Sequence, residues 1–260
     1  MILSVLAIAA LSGLYTSAWG AYKDGPWEGF RPRTFPRSVL FSVGLAALVA
    51  LTPRLGPRLL ALPLVHVFFL VMGLERMVTE VYKACFRDGR DPARFHIPQR
   101  LTFFGRDVES RPLRRLLGVA GLGAIALVLA LPWTVRSLPA FVAVAAGAGL
   151  LVSLGGAYKD APFEGFQPLK FFRSSLVLAL VSPLVWRLGP LPLGFALFLC
   201  GGVERLLVEY YKSFIVRSVP GKFRADLPTV PGPYLKWRPG LHYLALGMIG
   251  VAVVAYWAAG

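Results

Sequence analysis

Charge is scarce in this chain: 16% of its 260 residues are Asp, Glu, Lys or Arg, where a soluble domain carries about a quarter. Acid is scarcer still, with 13 Asp and Glu against 28 Lys and Arg. Cysteine is limited to Cys85 and Cys200, which excludes a disulfide framework, and no CxxC pair is present to suggest a metal. Cys200 falls inside an apolar run and Cys85 near the end of another, so both read as small packing residues. The three histidines, His66, His96 and His242, form no ligand set. His66 lies mid-run and reads as a hydrogen-bonded interior residue. No HExxH, GxSxG, Walker A or GxGxxG stands in a suitable context. The N-terminus lacks the basic region and small-residue cleavage site of a secretory signal, so residues 1–20 read as a retained first helix.

What the chain has is apolar length. Hydrophobic residues make up 56% of it, and the mean hydropathy is +0.63. They fall in runs of about 15 to 25 residues, long enough to cross a hydrocarbon core of roughly 30 Å. An all-α integral membrane protein follows. Pro, Gly and charge punctuation divides the runs into eight expected transmembrane spans, at 2–20, 38–52, 59–83, 114–133, 139–157, 174–188, 192–214 and 240–258. The second and sixth are short and must tilt or extend into their flanks.

Eight spans place the loops alternately on two faces. One face holds only Arg54, Arg58, Arg136 and Arg187, while 22 of the 28 Lys and Arg fall on the other. The positive-inside rule puts that second face in the cytoplasm of a bacterial-type cytoplasmic membrane, with both termini external. This asymmetry accounts for the net charge of +15 without a nucleic acid partner. The basic segments 86–115 and 216–239 are expected to rest against the bilayer, particularly anionic lipid headgroups.

The chain also repeats itself. Residues 20–38 read GAYKDGPWEGFRPRTFPRS and residues 156–174 read GAYKDAPFEGFQPLKFFRS, thirteen of nineteen identical at an offset of 136. Residues 74–83, LERMVTEVYK, match 203–212, VERLLVEYYK, at an offset of 129. Gly13, Ser17 and Ala21 correspond to Gly149, Ser153 and Ala157, small residues at helical spacing that permit close helix approach in lipid. Two tandem four-helix repeats are therefore expected, 1–135 and 136–260. Each has an even number of spans, so both insert with one orientation, related by a pseudo-two-fold axis along the membrane normal.

Eight of the thirteen acidic residues belong to the repeated blocks: Asp24 with Asp160, Glu28 with Glu164, Glu75 with Glu204, and Glu80 with Glu209. Matched basic residues are Lys23 with Lys159, Arg37 with Arg173, Arg76 with Arg205, and Lys83 with Lys212; Tyr82 matches Tyr211. Helical spacing sets Arg76, Glu80 and Lys83 on one stripe and Glu75 with Tyr82 on the next. A continuous third span from residue 59 would carry Glu75 about 24 Å along its axis. Ionised groups at such depth must face a bundle interior, a wet cavity or each other. The sequence thus predicts a charged cluster at the basic end of each half. The Pro and Gly of KDxPxEGF predict a tight turn there, with Trp27, Phe30, Phe35, Phe163, Phe166 and Phe171 as interfacial anchors.

Three function classes accommodate these features. In a transporter or channel-like permease, Glu75 and Glu204 would bind an ion or proton, Arg76 and Arg205 would balance or recognise negative charge, and Lys23, Lys159, Lys83 and Lys212 would attract an anion. In an enzyme acting on a lipid phosphate or polyprenyl phosphate, Asp24, Glu28, Glu75 or their counterparts would hold Mg²⁺. In a structural or assembly subunit, acids and bases would pair to hold the first loop against the third span, twice over.

Overall fold

The computed structural model describes residues 1–88, 93, 95–97, 100–217, 224 and 228–260. Nine α-helices order these residues: α1 (Ile2–Glu28), α2 (Arg37–Leu51), α3 (Gly56–Leu60), α4 (Leu64–Val81), α5 (Arg111–Leu129), α6 (Leu138–Glu164), α7 (Pro168–Trp186), α8 (Leu193–Tyr210) and α9 (Gly240–Ala259). Two very short antiparallel pairs accompany them. β1 (Thr102–Phe103) pairs with β2 (Arg106–Asp107), and β3 (Thr134–Val135) with β4 (Leu191–Pro192).

Among the described residues, six helical segments are long and apolar enough to cross a membrane: α1, the run Pro32–Leu51 that contains α2, α5, α6, α7 and α9. The protein is accordingly an all-helical membrane protein. α4 and α8 are 18 residues each and carry three charged residues apiece. They lie at the centre of the bundle, where most of their length is buried.

Local sequence explains the element ends. Pro63 and Pro192 stand at matching N-cap positions of α4 and α8, where the missing N–H costs nothing. Pro63 also breaks the expected continuous third span into α3 and α4. Glu75 therefore lies roughly 17 Å from the start of its helix rather than 24 Å. Ser110 and Ser137 accept from the backbone N–H groups of Leu113 and Ala140, capping α5 and α6.

The expected turn at KDxPxEGF is corrected. α1 and α6 continue through the motif to Glu28 and Glu164, with Pro26 and Pro162 inside their last turns. The chain turns only at Gly29 and Gly165, at φ of 75° and 81°, a left-handed conformation that glycine adopts without a Cβ clash. Their N–H groups donate to Gly25 and Ala161 carbonyls at 2.8 and 2.9 Å. At 27 residues each, α1 and α6 are about 40 Å long, longer than a hydrocarbon core. Their charged ends therefore project beyond the apolar run.

Packing centres on the α4–α8 crossing. A Cβ at Gly73 would strike the Phe198 carbonyl oxygen, and one at Gly202 would strike that of Phe69. The offset of 129 relates each member of the first contact to one of the second. The α1–α2 hairpin closes in the same way, with Gly13 on Ser38 and Val39, and the α6–α7 hairpin with Gly149 on Ser174 and Ser175. α1 and α2 flank α4, and α6 and α7 flank α8. α5 seats Gly118 against Cys85 and Phe86. α9 packs in the same manner: His242 at its start meets Tyr210 and Phe214, and Tyr256 near its end packs with His66 and Phe69 of α4. His66 is buried beside the Val185 carbonyl at 3.3 Å, an interior hydrogen-bonding position as expected. Cys85 and Cys200 are buried free thiols.

Candidate functional site

The basic ends of α1, α4, α6 and α8 surround one cavity of about 1510 Å³. All the repeated charged residues line it: Lys23, Asp24, Glu28, Arg37, Glu75, Arg76, Glu80 and Lys83 from the first half, and Lys159, Asp160, Glu164, Arg173, Glu204, Arg205, Glu209 and Lys212 from the second. Tyr82 and Tyr211 line it too. The sequence predicts a cluster in each half; the fold merges the two. Of the small-residue rows, only Gly13 and Gly149 make the tight helix contact, while Ser17, Ala21, Ser153 and Ala157 line the cavity. Small side chains there leave room rather than filling it.

Ion pairing crosses between the halves, correcting the stripe-wise pairing expected for Arg76. Arg76 Nη1 donates to Glu204 Oε2, and Arg205 Nη1 donates to Glu75 Oε2 at 2.6 Å. Glu204 also accepts from Ser174 Oγ at 2.7 Å. Both glutamates are buried. Nearer the cavity mouth, Lys23 pairs with Glu209 at 3.7 Å and Lys159 with Glu80 at 3.5 Å. Each of these glutamates also meets the lysine three residues on, Lys83 at 3.0 Å from Glu80 and Lys212 at 3.8 Å from Glu209. The result is two layers, each nearly two-fold symmetric. Lys23 thus binds the seventh expected span of the other half, not the third span of its own.

Several lining groups were not singled out in the sequence. Ser174 ends the repeated motif, and its match to Ser38 was the available signal. Arg31, Arg87, Arg100 and Lys170 also line the cavity; Lys170 replaces Thr34 of the first copy, so repetition hides it. Among the described residues, the lining then holds twelve basic and eight acidic side chains. Arg173 lies with its guanidinium carbon 5.8 Å from the Tyr211 ring centre. Its buried Nε has no hydrogen-bond partner among the described residues.

Two covers lie over the motifs, and each comes from the opposite half. Val230 donates its N–H to the Pro26 carbonyl at 2.7 Å. Tyr234 packs on Gly25 and Phe30, and Trp237 on Phe30 at 5.3 Å. Pro26 offers no N–H to the Tyr22 carbonyl four residues earlier; Arg238 Nε donates to that carbonyl instead, at 2.8 Å, with its guanidinium stacked over the Tyr22 ring. Burial pushes the Tyr234 phenol pKa up from its ordinary value, opposed by the nearby Arg238 charge. Over the second motif, Gly105 approaches Pro162 and Phe104 approaches Tyr158, and His96 Nε2 lies 3.5 Å from the Phe163 carbonyl. Phe30 is therefore held in an intramolecular aromatic cluster with Phe35, Tyr234 and Trp237. The rest of the two basic segments, 89–92, 94, 98–99, 218–223 and 225–227, lies outside the described residues.

The carboxylates are arranged for cations already present. Among the described residues, no three Asp, Glu, His or Cys side chains converge as a metal site. No family model, curated protein or solved structure matches this chain.

Proposed function

We propose that the protein is an eight-span membrane permease for an anionic solute, made of two tandem repeats, 1–135 and 136–260, about a pseudo-two-fold axis along the membrane normal. α4 and α8 are the third and seventh spans, their charges tolerated because they face the shared cavity. The observation that carries this reading is the convergence of both sets of repeated charges on one cavity with more bases than acids. Lys83, Lys159, Lys212 and Lys23 draw the anion in, and Arg173 and Arg37 meet it. The buried Arg76–Glu204 and Arg205–Glu75 layer closes the inner end and ties the halves together. By the distribution of Lys and Arg, the cavity opens to the cytoplasm of a bacterial-type membrane, both termini are external, and anionic lipids gather at the basic face.

The reciprocal inner ion pairs also favour a second reading for those four residues, a purely structural lock. Reconstitution into sealed vesicles separates the two. A permease gives anion flux that falls at least tenfold in the doubly substituted Arg173→Gln, Lys212→Gln protein. Absence of flux with phosphate, sulfate and organic phosphates alike, in protein that retains its wild-type unfolding temperature, would sink the permease and leave the structural subunit.

A further inference from the structure

Resting on the anion-site reading, we propose that the anion is carried on a lipid: a phosphate-headed lipid whose head enters the basic cavity and whose chain lies along α7. The residues of α7 that line the cavity change character along the helix. Leu169, Lys170, Phe171, Arg173 and Ser174 line it from the first two turns, and from there on only the apolar Leu176, Val177 and Leu180 do. Lys170, Arg173, Val177 and Leu180 are spaced i, i+3, i+7 and i+10, one continuous helical face. Leu180 stands about 10 Å along the axis from Arg173. Leu176 and Leu180 are 61% and 80% exposed. In a membrane-crossing helix, exposure at that distance from the charged end faces bilayer, so the cavity opens sideways into lipid along this wall.

A freely soluble anion needs only the basic end. A leucine wall continuous with it matches an acyl or isoprenoid chain, which enters from the bilayer without passing through water. The head is read by charge and geometry. Arg173 presents an Nε without a partner among the described residues, and a guanidinium fork matches a phosphate. Lys170 sits one turn away. The opening is one-sided: at the equivalent positions of α2, an offset of 136, stand Leu40, Phe41 and Gly44, and only Phe41 reaches the cavity.

The test is equilibrium binding to the detergent-purified full chain, comparing phosphatidate, phosphatidylcholine, glycerol phosphate and inorganic phosphate. Phosphatidate is expected to bind at least 100-fold tighter than glycerol phosphate and at least tenfold tighter than phosphatidylcholine. Leu176→Trp and Leu180→Trp should fill the groove and weaken phosphatidate at least tenfold while leaving glycerol phosphate unchanged. Arg173→Gln should weaken both. Leu180→Ala, which removes wall without adding bulk, serves where a tryptophan variant loses the wild-type unfolding temperature, and should weaken phosphatidate several-fold. Equal binding of phosphatidate and glycerol phosphate, or indifference to the leucine substitutions, overturns the lipid assignment and leaves the anion site standing. Equal binding of phosphatidylcholine overturns the head-group assignment. No binding of any phosphate, together with absent vesicle flux, removes the anion site itself.

Discussion

The two copies of the KDxPxEGF motif share most of their residues, yet they differ in access. In the first, Pro26 is buried and the Lys23–Glu209 side chains are 28% and 14% exposed. In the second, Pro162 is exposed and Lys159–Glu80 stand at 41% and 45%. The ion pairs themselves repeat. What differs is the cover: Val230, Tyr234, Trp237 and Arg238 press on the first motif through a backbone hydrogen bond, rings and a guanidinium. Phe104, Gly105 and His96 meet the second through two ring contacts, a close approach to Pro162 and a long 3.5 Å hydrogen bond, with Phe104 and His96 themselves exposed. Repeated residues specify pairing, and the loops that do not repeat specify which pair meets the outside. Losing one partner of an exposed ion pair costs little, whereas losing one partner of a covered pair strands a charge away from water and costs more, so a nearly symmetric network can be structural on one side and available to a ligand on the other.

The comparison breaks first at the buried inner layer, where the halves should behave alike. Arg76→Met leaves the Glu204 carboxylate buried without its cation, and should cost about 3–5 kcal/mol. Arg205→Met should cost about as much through Glu75. The pair Arg76→Met, Glu204→Leu should recover most of the loss. Unfolding of the detergent-purified protein measures all three, and a single-variant cost below the double would show that the cross-half pair is not the lock. Next comes the central crossing. Gly73→Ala and Gly202→Ala each force a methyl onto a backbone carbonyl and should cost about 1–3 kcal/mol, nearly equally. Gly44→Ala, with nothing near its Cβ, should not destabilise; unequal costs at 73 and 202 would break the symmetry of the crossing.

The outer layer should show asymmetry. Lys159→Met should cost a few tenths of a kcal/mol and Lys23→Met about 1 kcal/mol, read as double-mutant cycles with Glu80 and Glu209. The smallest effect concerns access alone. With Cys85 and Cys200 replaced by alanine, Lys159→Cys should react with a charged thiol reagent several-fold faster than Lys23→Cys. Adding Tyr234→Ala should bring the two rates together. Equal rates before that change would mean that the cover does not control access.

Much of this architecture was legible in the order of residues. The helical runs follow from apolar length, and the grouping of Glu75, Arg76 and Glu80 with their counterparts follows from repetition. Gly13 and Gly149 were recognisable as close-approach positions because small residues recur at helical spacing. Other features were misread for definite reasons. Pro and Gly within KDxPxEGF suggest a turn, but proline in a last helical turn breaks little, and its orphaned acceptor at Tyr22 found Arg238, 216 residues away. Arg76 and Glu80 share a stripe, which suggests a local pair. Glu204 wins Arg76 because the glycine contact between α4 and α8 brings the two helices close enough for each arginine to reach across.

By itself, the sequence determined the membrane as solvent, the helical runs and the residues from which a charged site must be built. Those are consequences of transfer free energy, backbone satisfaction and repetition, which act along the chain. Only the tertiary structure decided that two clusters become one cavity, that each arginine serves the other half's glutamate, and that one motif is covered while its twin stays open. Partner choice among chemically equivalent groups depends on distance in space, and neither composition nor periodicity carries that information across 129 residues.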